Sequence, residues 1–259
     1  MKLEALKYGL FTLTTIVFAD IMLFEKDRNS SSFSLMPHQP SAQTQSDSIP
    51  KNLEFSLTPL SPAQSLEKFV LPKGYHIELV ASEPMITEPV AIAWDGNAKM
   101  YVAQMETYTQ DADGTDTKKP ISRVMLLEDT DNDGKMDKSS VFIKNMVLPR
   151  MLLCVNHELL VNETDTYDIY GYKDTNGDGI SDVKKPVYIV GKVAPGNLEH
   201  QRSGLIWNID NYIYQTVDPI RFRYINGKLQ PDSLHSGSNG QWGLTSDNYG
   251  RLFLRQRWW

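Results

Sequence analysis

The sequence is poor in cysteine, in clustered basic residues and in long apolar runs, and each shortage excludes a class of protein. The single cysteine, Cys154, cannot form an internal disulfide, and no C-x-x-C-H motif for covalent haem attachment is present. The 26 lysines and arginines are outnumbered by 32 acidic residues and form no basic stripe, which argues against a nucleic-acid partner. From Leu66 onward no stretch has helical apolar periodicity, so an all-helical fold is excluded.

The first 24 residues have the character of an export signal. Two lysines precede an apolar run from Tyr8 to Ala19, and a shorter apolar run follows from Ile21 to Phe24. Asp20 separates the two runs, and the whole segment reaches only about 17 residues, which is short for a membrane-spanning helix. We therefore predict a signal or membrane anchor over residues 1–24 and a location in the periplasm or cell envelope. A cytosolic amphipathic helix is the alternative.

Residues 25–65 are predicted to be a flexible linker. Three consecutive serines begin at Ser30, and the stretch from Ser41 to Ser48 is rich in serine, glutamine and threonine. A polar segment without periodicity buries too little apolar surface to offset the entropy lost on ordering. The folded domain is therefore predicted to span residues 66–259.

Strand patterns recur through this folded domain. An alternating segment from Tyr75 to Leu79 predicts a first, half-buried strand. Thereafter an apolar strand, a tight Asp/Asn/Gly turn and a second strand recur in four hairpins: Pro89–Gln104, Pro149–Glu163, Ser203–Thr216 and Trp242–Arg255. Repeats of this length are typical of β-propellers, with a β-sandwich as the competing all-β fold.

The predicted fold is an all-β, partial six-bladed propeller. Four strand pairs account for about three to four blades, which is fewer than a closed six-bladed ring needs. The last residues, Leu254 to Trp259, read LRQRWW and abandon the strand pattern. We therefore expect the chain to be an N-terminal fragment of a larger propeller protein.

Two acidic loops separate strand patterns at matching places in the repeat. The second loop follows the first by 45 residues, counted from Asp129 to Asp174. The four aligned pairs of oxygen-bearing side chains are Asp129 with Asp174, Asp131 with Asn176, Asp133 with Asp178, and Asp137 with Asp182.

The spacing of these side chains predicts calcium. Oxygen ligands at relative positions 1, 3, 5 and 9 converge on one cation if the chain turns sharply, and Gly134 and Gly179 stand where that turn is needed. Neither loop is a complete EF-hand, because Ser140 and Lys185 replace the glutamate at position 12. The alternative is a pair of solvent-facing turns whose carboxylates only cap the backbone. Repetition favours calcium in a structural role.

Three stretches resemble a known family. The sequence NLEHQRSGLIWNIDNYIYQT, from Asn197 to Thr216, resembles six-bladed propellers related to soluble quinoprotein glucose and sorbosone dehydrogenases. Together with LLEDTDNDGKMDKSSVF and GQWGLTSDNYG it also resembles the exported haem-binding-domain, "membrane-bound dehydrogenase-like" proteins of planctomycetes and bacteroidetes. The resemblance covers about Tyr75 to Arg251.

The resemblance implies a catalytic site. His200 matches the family's general base, with Gln201 beside it, and pyrroloquinoline quinone (PQQ) would accept a hydride from a sugar or other small hydroxylated substrate. Arg221 and Arg223 are candidates for the quinone carboxylates, and a cytochrome would accept the electrons. The alternatives are a His200 that is only a loop residue, and a non-catalytic, calcium-stabilised propeller that binds carbohydrate or protein.

Overall fold

The computed structural model describes residues 59–193, 197–234, 240 and 242–254. The predicted export segment, residues 1–24, and most of the predicted linker lie outside this part of the chain. A short helix, α1 (Pro62–Leu66), stands at the linker's predicted end, because Ser61 and Gln64 form a capping box and Pro62 occupies the first turn. No helix among the described residues is long and apolar enough to cross a membrane.

Fourteen strands follow α1 within the described residues. Blade 1 contains β1 (Pro89–Trp94), β2 (Met100–Gln104), β3 (Ser122–Glu128) and β4 (Lys138–Met146). Blade 2 contains β5 (Pro149–Val155), β6 (Glu158–Glu163), β7 (Ile169–Lys173) and β8 (Val183–Tyr188). Blade 3 contains β9 (Ile206–Trp207), β10 (Ile213–Tyr214), β11 (Ile220–Ile225) and β12 (Lys228–Ser233). A two-stranded sheet contains β13 (Leu244–Ser246) and β14 (Leu252–Leu254).

Each blade is an antiparallel meander in which sequential strands are neighbours. Three four-stranded sheets and a two-stranded one, arranged in chain order, form a partial β-propeller. The prediction of an all-β, partial propeller is confirmed. All four predicted hairpins are present, as β1–β2, β5–β6, β9–β10 and β13–β14.

The meander gives every blade two distinct ends. The turns between first and second strands, and the loops between third and fourth strands, lie at one end, which we name the turn end. The loops between second and third strands, and the links between blades, lie at the opposite end, the connection end. A six-residue strand spans roughly 20 Å, so the two ends are about that far apart.

The blades pack through apolar side chains that alternate along each strand. One layer joins Val124 and Phe142 of blade 1 to Leu152 and Leu159 of blade 2. A second layer joins blade 2 to blade 3, and its members Leu160, Ile213 and Phe222 are completely buried. Neighbouring blades are therefore held together by the hydrophobic effect over both faces of blade 2.

The prediction of a strand from Tyr75 to Leu79 was wrong, because this segment pairs with no other strand among the described residues. The chain just after it, Val80 to Ile86, instead covers the open face of blade 1 and packs on Met100 and Leu127. The alternation of apolar and polar residues indicates which side chains face inward, but a β-strand also requires a hydrogen-bonded neighbouring strand.

Candidate calcium loops and ligand sites

The first acidic loop connects β3 to β4 at the turn end and gathers three carboxylates. Ligand atoms of Asp129, Asp131 and Asp137 lie within 4.8 Å of one another. Asp133, the fourth predicted ligand, is outside this group, and its Oδ1 accepts the Lys135 N–H at 2.8 Å. The cluster is therefore a set of three acidic oxygens suited to a hard cation.

Backbone hydrogen bonds give this loop its shape. Asp129 accepts the N–H of Asn132 at 2.7 Å and that of Gly134 at 2.9 Å, and both donors have positive φ, of 63° and 91°. The hydrogen bond from Gly134, helped by that from Asn132, holds the pKa of Asp129 below its usual value. Asp137 accepts the hydroxyl of Thr130 at 2.8 Å. The carboxylates are thus oriented even without a cation.

The second acidic loop, between β7 and β8, repeats this construction. Asp174 accepts the N–H of Gly177 at 2.6 Å and that of Gly179 at 2.8 Å, while Asp182 accepts the hydroxyl of Thr175 at 2.6 Å. Burial opposes ionisation of Asp174, but these backbone hydrogen bonds outweigh it and lower the pKa of the carboxyl. The loops share one fold, and Asn176 gives the second loop one carboxylate fewer.

Each acidic loop also attaches its blade to the element before it. In the second loop, Ser181 N–H donates to Phe142 O of β4 at 2.9 Å, and Gly179 O accepts the Ser140 hydroxyl at 2.7 Å. A Cβ on Gly179 would lie 2.7 Å from that hydroxyl, and its φ of +83° also requires glycine. In the first loop the equivalent residue, Met136, donates to Val80 O at 2.9 Å.

A cavity of about 610 Å³ lies between blades 1 and 2 at the turn end. Its aromatic lining includes Trp94, Tyr101, Phe142 and Tyr172, and its polar lining includes Asp95, His157, Glu158 and Asp174. The volume suits a small ligand. No local sequence pattern marks this cavity, because its walls come from two blades.

The buried groups of this cavity have a structural character. Burial raises the pKa of the Cys154 thiol to about 12, so this cysteine is a poor nucleophile at neutral pH. Glu158 accepts the Tyr224 hydroxyl of blade 3 and pairs with Lys185 Nζ at 2.9 Å. Glu158 is therefore committed to holding blades 2 and 3 together.

The predicted catalytic pair lies at the connection end. His200 ends a 3₁₀ helix, Leu198–His200, and is half-buried, and none of the described residues hydrogen-bonds its imidazole. Gln201 is 5% exposed, and its side chain is fully engaged with Asp165, accepting the backbone N–H and donating to the carboxylate, each at 2.7 Å. Gln201 thus fixes the β6–β7 loop.

The predicted quinone-binding arginines lie elsewhere, on β11 in the outer half of blade 3. Arg221 pairs with Asp232 at 2.9 Å, and its Cζ lies 3.6 Å from the Tyr212 ring centre. Arg223 stacks on the same ring at 4.3 Å. Among the described contacts none joins either arginine to His200. The charge of Arg221 is already matched by Asp232, so this arginine is not free for a quinone carboxylate, and we derive no step through PQQ.

A family model described as a domain of unknown function, DUF7133, matches residues 61–257, which is most of the chain. The chain belongs to the DUF7133 family. A search of curated proteins gave no significant match to this DUF7133 chain.

Solved structures similar to the DUF7133 chain are propeller enzymes of low sequence identity. A gluconolactonase from Xanthomonas campestris is 13% identical, with a TM-score of 0.46 over 69% of this chain and 57% of that one. A candidate gluconolactonase is 17% identical, with a TM-score of 0.44 over 68% and 58%. A luciferin-regenerating enzyme is 9% identical, with a TM-score of 0.39 over 57% and 47%. The chain thus spans little more than half of the first two structures, and their activities are not transferred to it.

Proposed function

We propose that this DUF7133 chain is a calcium-stabilised propeller module that binds a small hydroxylated ligand, such as a carbohydrate. The observation that carries this proposal is the convergence of Asp129, Asp131 and Asp137 within 4.8 Å. Three carboxylates this close repel one another, and an oxygen-seeking cation such as Ca²⁺ removes the repulsion. The matching hydrogen bonds of the second loop support a second, weaker site at Asp174, Asn176 and Asp182.

The calcium would act on stability and not on chemistry. Both loops lie at the turn end, whereas His200 lies at the connection end, roughly 20 Å away along a blade. A cation there does not reach a substrate at His200. It does fix the loops through which Met136 and Ser181 hold their blades to the preceding elements.

The cavity between blades 1 and 2 supports the ligand-binding part of the proposal. Aromatic faces such as that of Trp94 pack against the apolar face of a sugar ring, while Asp95 and His157 offer partners for hydroxyl groups. Asp174 and Gly177 of the second acidic loop also line this cavity. Calcium would therefore shape one wall of it.

Thermal melting of the full chain with chelator, calcium or magnesium tests the calcium site. We expect chelation to lower the melting temperature and calcium, but not magnesium, to restore it. At a free calcium concentration 1,000 times the Kd, binding to one site adds about 4 kcal/mol to the free energy of unfolding. Identical melting curves in all three conditions would refute the calcium proposal.

Tryptophan fluorescence during titration with a panel of neutral sugars tests the ligand. We expect one sugar class to change the emission, and Trp94→Ala to abolish the change. Tyr249→Ala is the matched control, because Tyr249 is an exposed aromatic residue in another turn of the same end. A panel without any response, or a response that survives Trp94→Ala, would contradict the proposed ligand site.

A quinone-dependent sugar dehydrogenase is the second candidate function. It is supported by the resemblance of the segment around His200, and by an imidazole that no described residue engages and that is therefore available to take a proton. The test is dye reduction by the chain supplied with PQQ, calcium and sugars. Turnover lost in His200→Ala would establish this function, and no turnover at all would exclude it for this chain.

We also propose that residues 1–24 export the protein. A reporter enzyme that is active only outside the cytoplasm, fused after residue 65, should be active, and an inactive fusion would contradict export.

A further inference from the structure

The buried side-chain nitrogen and oxygen atoms that lack a hydrogen-bond partner among the described residues lie at the connection end. Six buried side-chain atoms have no hydrogen-bond partner there: Gln104 Nε2, Ser122 Oγ, Arg150 Nε and Nη1, and Gln215 Nε2 and Oε1. Gln104 is the last residue of β2 and Ser122 is the first of β3. Arg150 lies at the start of β5, and Gln215 directly follows β10. All four positions are therefore at the connection end of their blades. Buried polar groups normally have hydrogen-bond partners, so these atoms are open to a molecule that supplies them.

Arg150 is the most demanding of these residues. It is 2% exposed, its Nη2 donates to Leu198 O at 2.5 Å, and its other nitrogens have no partner among the described residues. Burial lowers the pKa of the guanidinium to about 10, so the group remains a cation at neutral pH. A buried cation without a counter-ion is unfavourable.

No described carboxylate lies in ion-pair contact with the Arg150 guanidinium, although Asp165 is close enough to act on its charge. Asp165 is itself paired with Lys118 Nζ at 2.5 Å. The Trp242 ring covers the guanidinium, with 4.6 Å from Cζ to the ring centre. The guanidinium is therefore left without a carboxylate in direct contact.

The neighbouring groups favour a singly charged ligand with hydroxyl groups. The single guanidinium of Arg150 matches a single carboxylate, and the Glu199 carboxylate at this end accepts the Tyr108 hydroxyl at 3.0 Å. The strand β5, which carries Arg150, packs against β2 and β3, which end and begin with Gln104 and Ser122. An amide and a hydroxyl are suitable partners for ligand hydroxyls.

We propose that the connection end holds a binding site for a small hydroxycarboxylate, whose carboxylate is bound by Nε and Nη1 of Arg150. The side chains of Gln104 and Ser122 form hydrogen bonds with the hydroxyl groups of the ligand. Because Trp242 covers the guanidinium, the ligand displaces this ring on entry. The site is separate from the calcium loops and from the cavity at the turn end.

The test uses the full chain in constant calcium, with glycerate as the probe and glycerol as its uncharged match. At ten times the Kd, glycerate should raise the melting temperature by about 3–6 °C and change the tryptophan emission, and glycerol should do neither. Arg150→Met should abolish both effects. It should also melt at or above the wild-type temperature without ligand, because it removes an unpaired buried charge.

Arg223→Met is the matched control, because it removes an exposed arginine that stacks on a tyrosine, and it should keep the glycerate response. Equal effects of glycerate and glycerol, or a glycerate effect that survives Arg150→Met, would overturn the proposal. A response to inorganic phosphate as large as that to glycerate would refute the carboxylate class. An Arg150→Met protein that melts far below wild type would show that the guanidinium is structural. Failure of the calcium proposal would appear separately, in the chelator experiment.

Discussion

The two ends of the blades differ in how their polar groups are satisfied. At the turn end, Asp129 and Asp174 each accept several backbone N–H groups from their own loops. At the connection end, six buried polar atoms, two of them on Arg150, have no partner among the described residues. One end is completed by consecutive residues, whereas the other is assembled from distant segments and left chemically open, which is typical of a binding site.

Blade 3 shows that a blade does not need an acidic loop. Its outer hairpin closes through Asn226 and Gly227, both with positive φ, of 51° and 76°. This two-residue turn suits the twist of paired strands. The long acidic loops of blades 1 and 2 are therefore additions to the fold, and the contacts they make to preceding elements are additions as well.

The largest effect is expected from Asp174→Ala at the turn end. The substitution removes three backbone hydrogen bonds and frees the loop that docks on Ser140, so the free energy of unfolding should fall by about 3 kcal/mol. Urea unfolding in chelator measures it. Asp133→Ala is the control and should change stability by about 0.5 kcal/mol or less, because Asp133 is exposed. Equal losses in both variants would contradict this account of the loop.

A pair of buried glutamines at the connection end gives the next largest effect. Gln201→Met breaks two hydrogen bonds to Asp165 and should cost about 2 kcal/mol. Gln215→Met removes an amide with no partner among the described residues, so stability should stay constant or rise. Urea unfolding compares the two variants. If Gln215→Met is the more damaging, the amide has a partner that the proposed open site does not include.

The smallest expected effect is a pH dependence of stability, which arises from the two aspartates Asp129 and Asp174 at the turn end. The folded-state pKa values of Asp129 and Asp174 lie below their ordinary value of 3.8. A depressed folded pKa contributes stability above the unfolded value, and that stability disappears as the pH falls through the folded one. In chelator, the melting temperature should therefore fall below about pH 4. Asp129→Asn should flatten this fall, and an unchanged slope would argue against the hydrogen bonds of the loop.

The sequence predicted features that depend on neighbouring residues. The four hairpins and the positions of the two acidic loops between strands were correct, because strand alternation and Asp/Asn/Gly turns are local patterns. The placement of Gly179 at the sharp turn was equally local. The segment from Tyr75 to Leu79 failed as a strand because pairing depends on a partner that alternation does not report.

The two proposed ligand sites could not be predicted from the sequence for a physical reason. Arg150 meets Leu198 across 48 residues, and the cavity joins side chains of two blades. Nothing near Arg150 in the sequence marks it as buried and unpaired. Arg221 and Arg223 were predicted to bind the quinone carboxylates because they are neighbouring cations in the sequence. The fold places both on β11, in the outer half of blade 3.

The number of calcium ions bound per chain tests the central claim most directly. Equilibrium dialysis of the full chain should give two ions, and one ion in either Asp129→Asn or Asp174→Asn. No bound calcium at millimolar concentration would contradict the account.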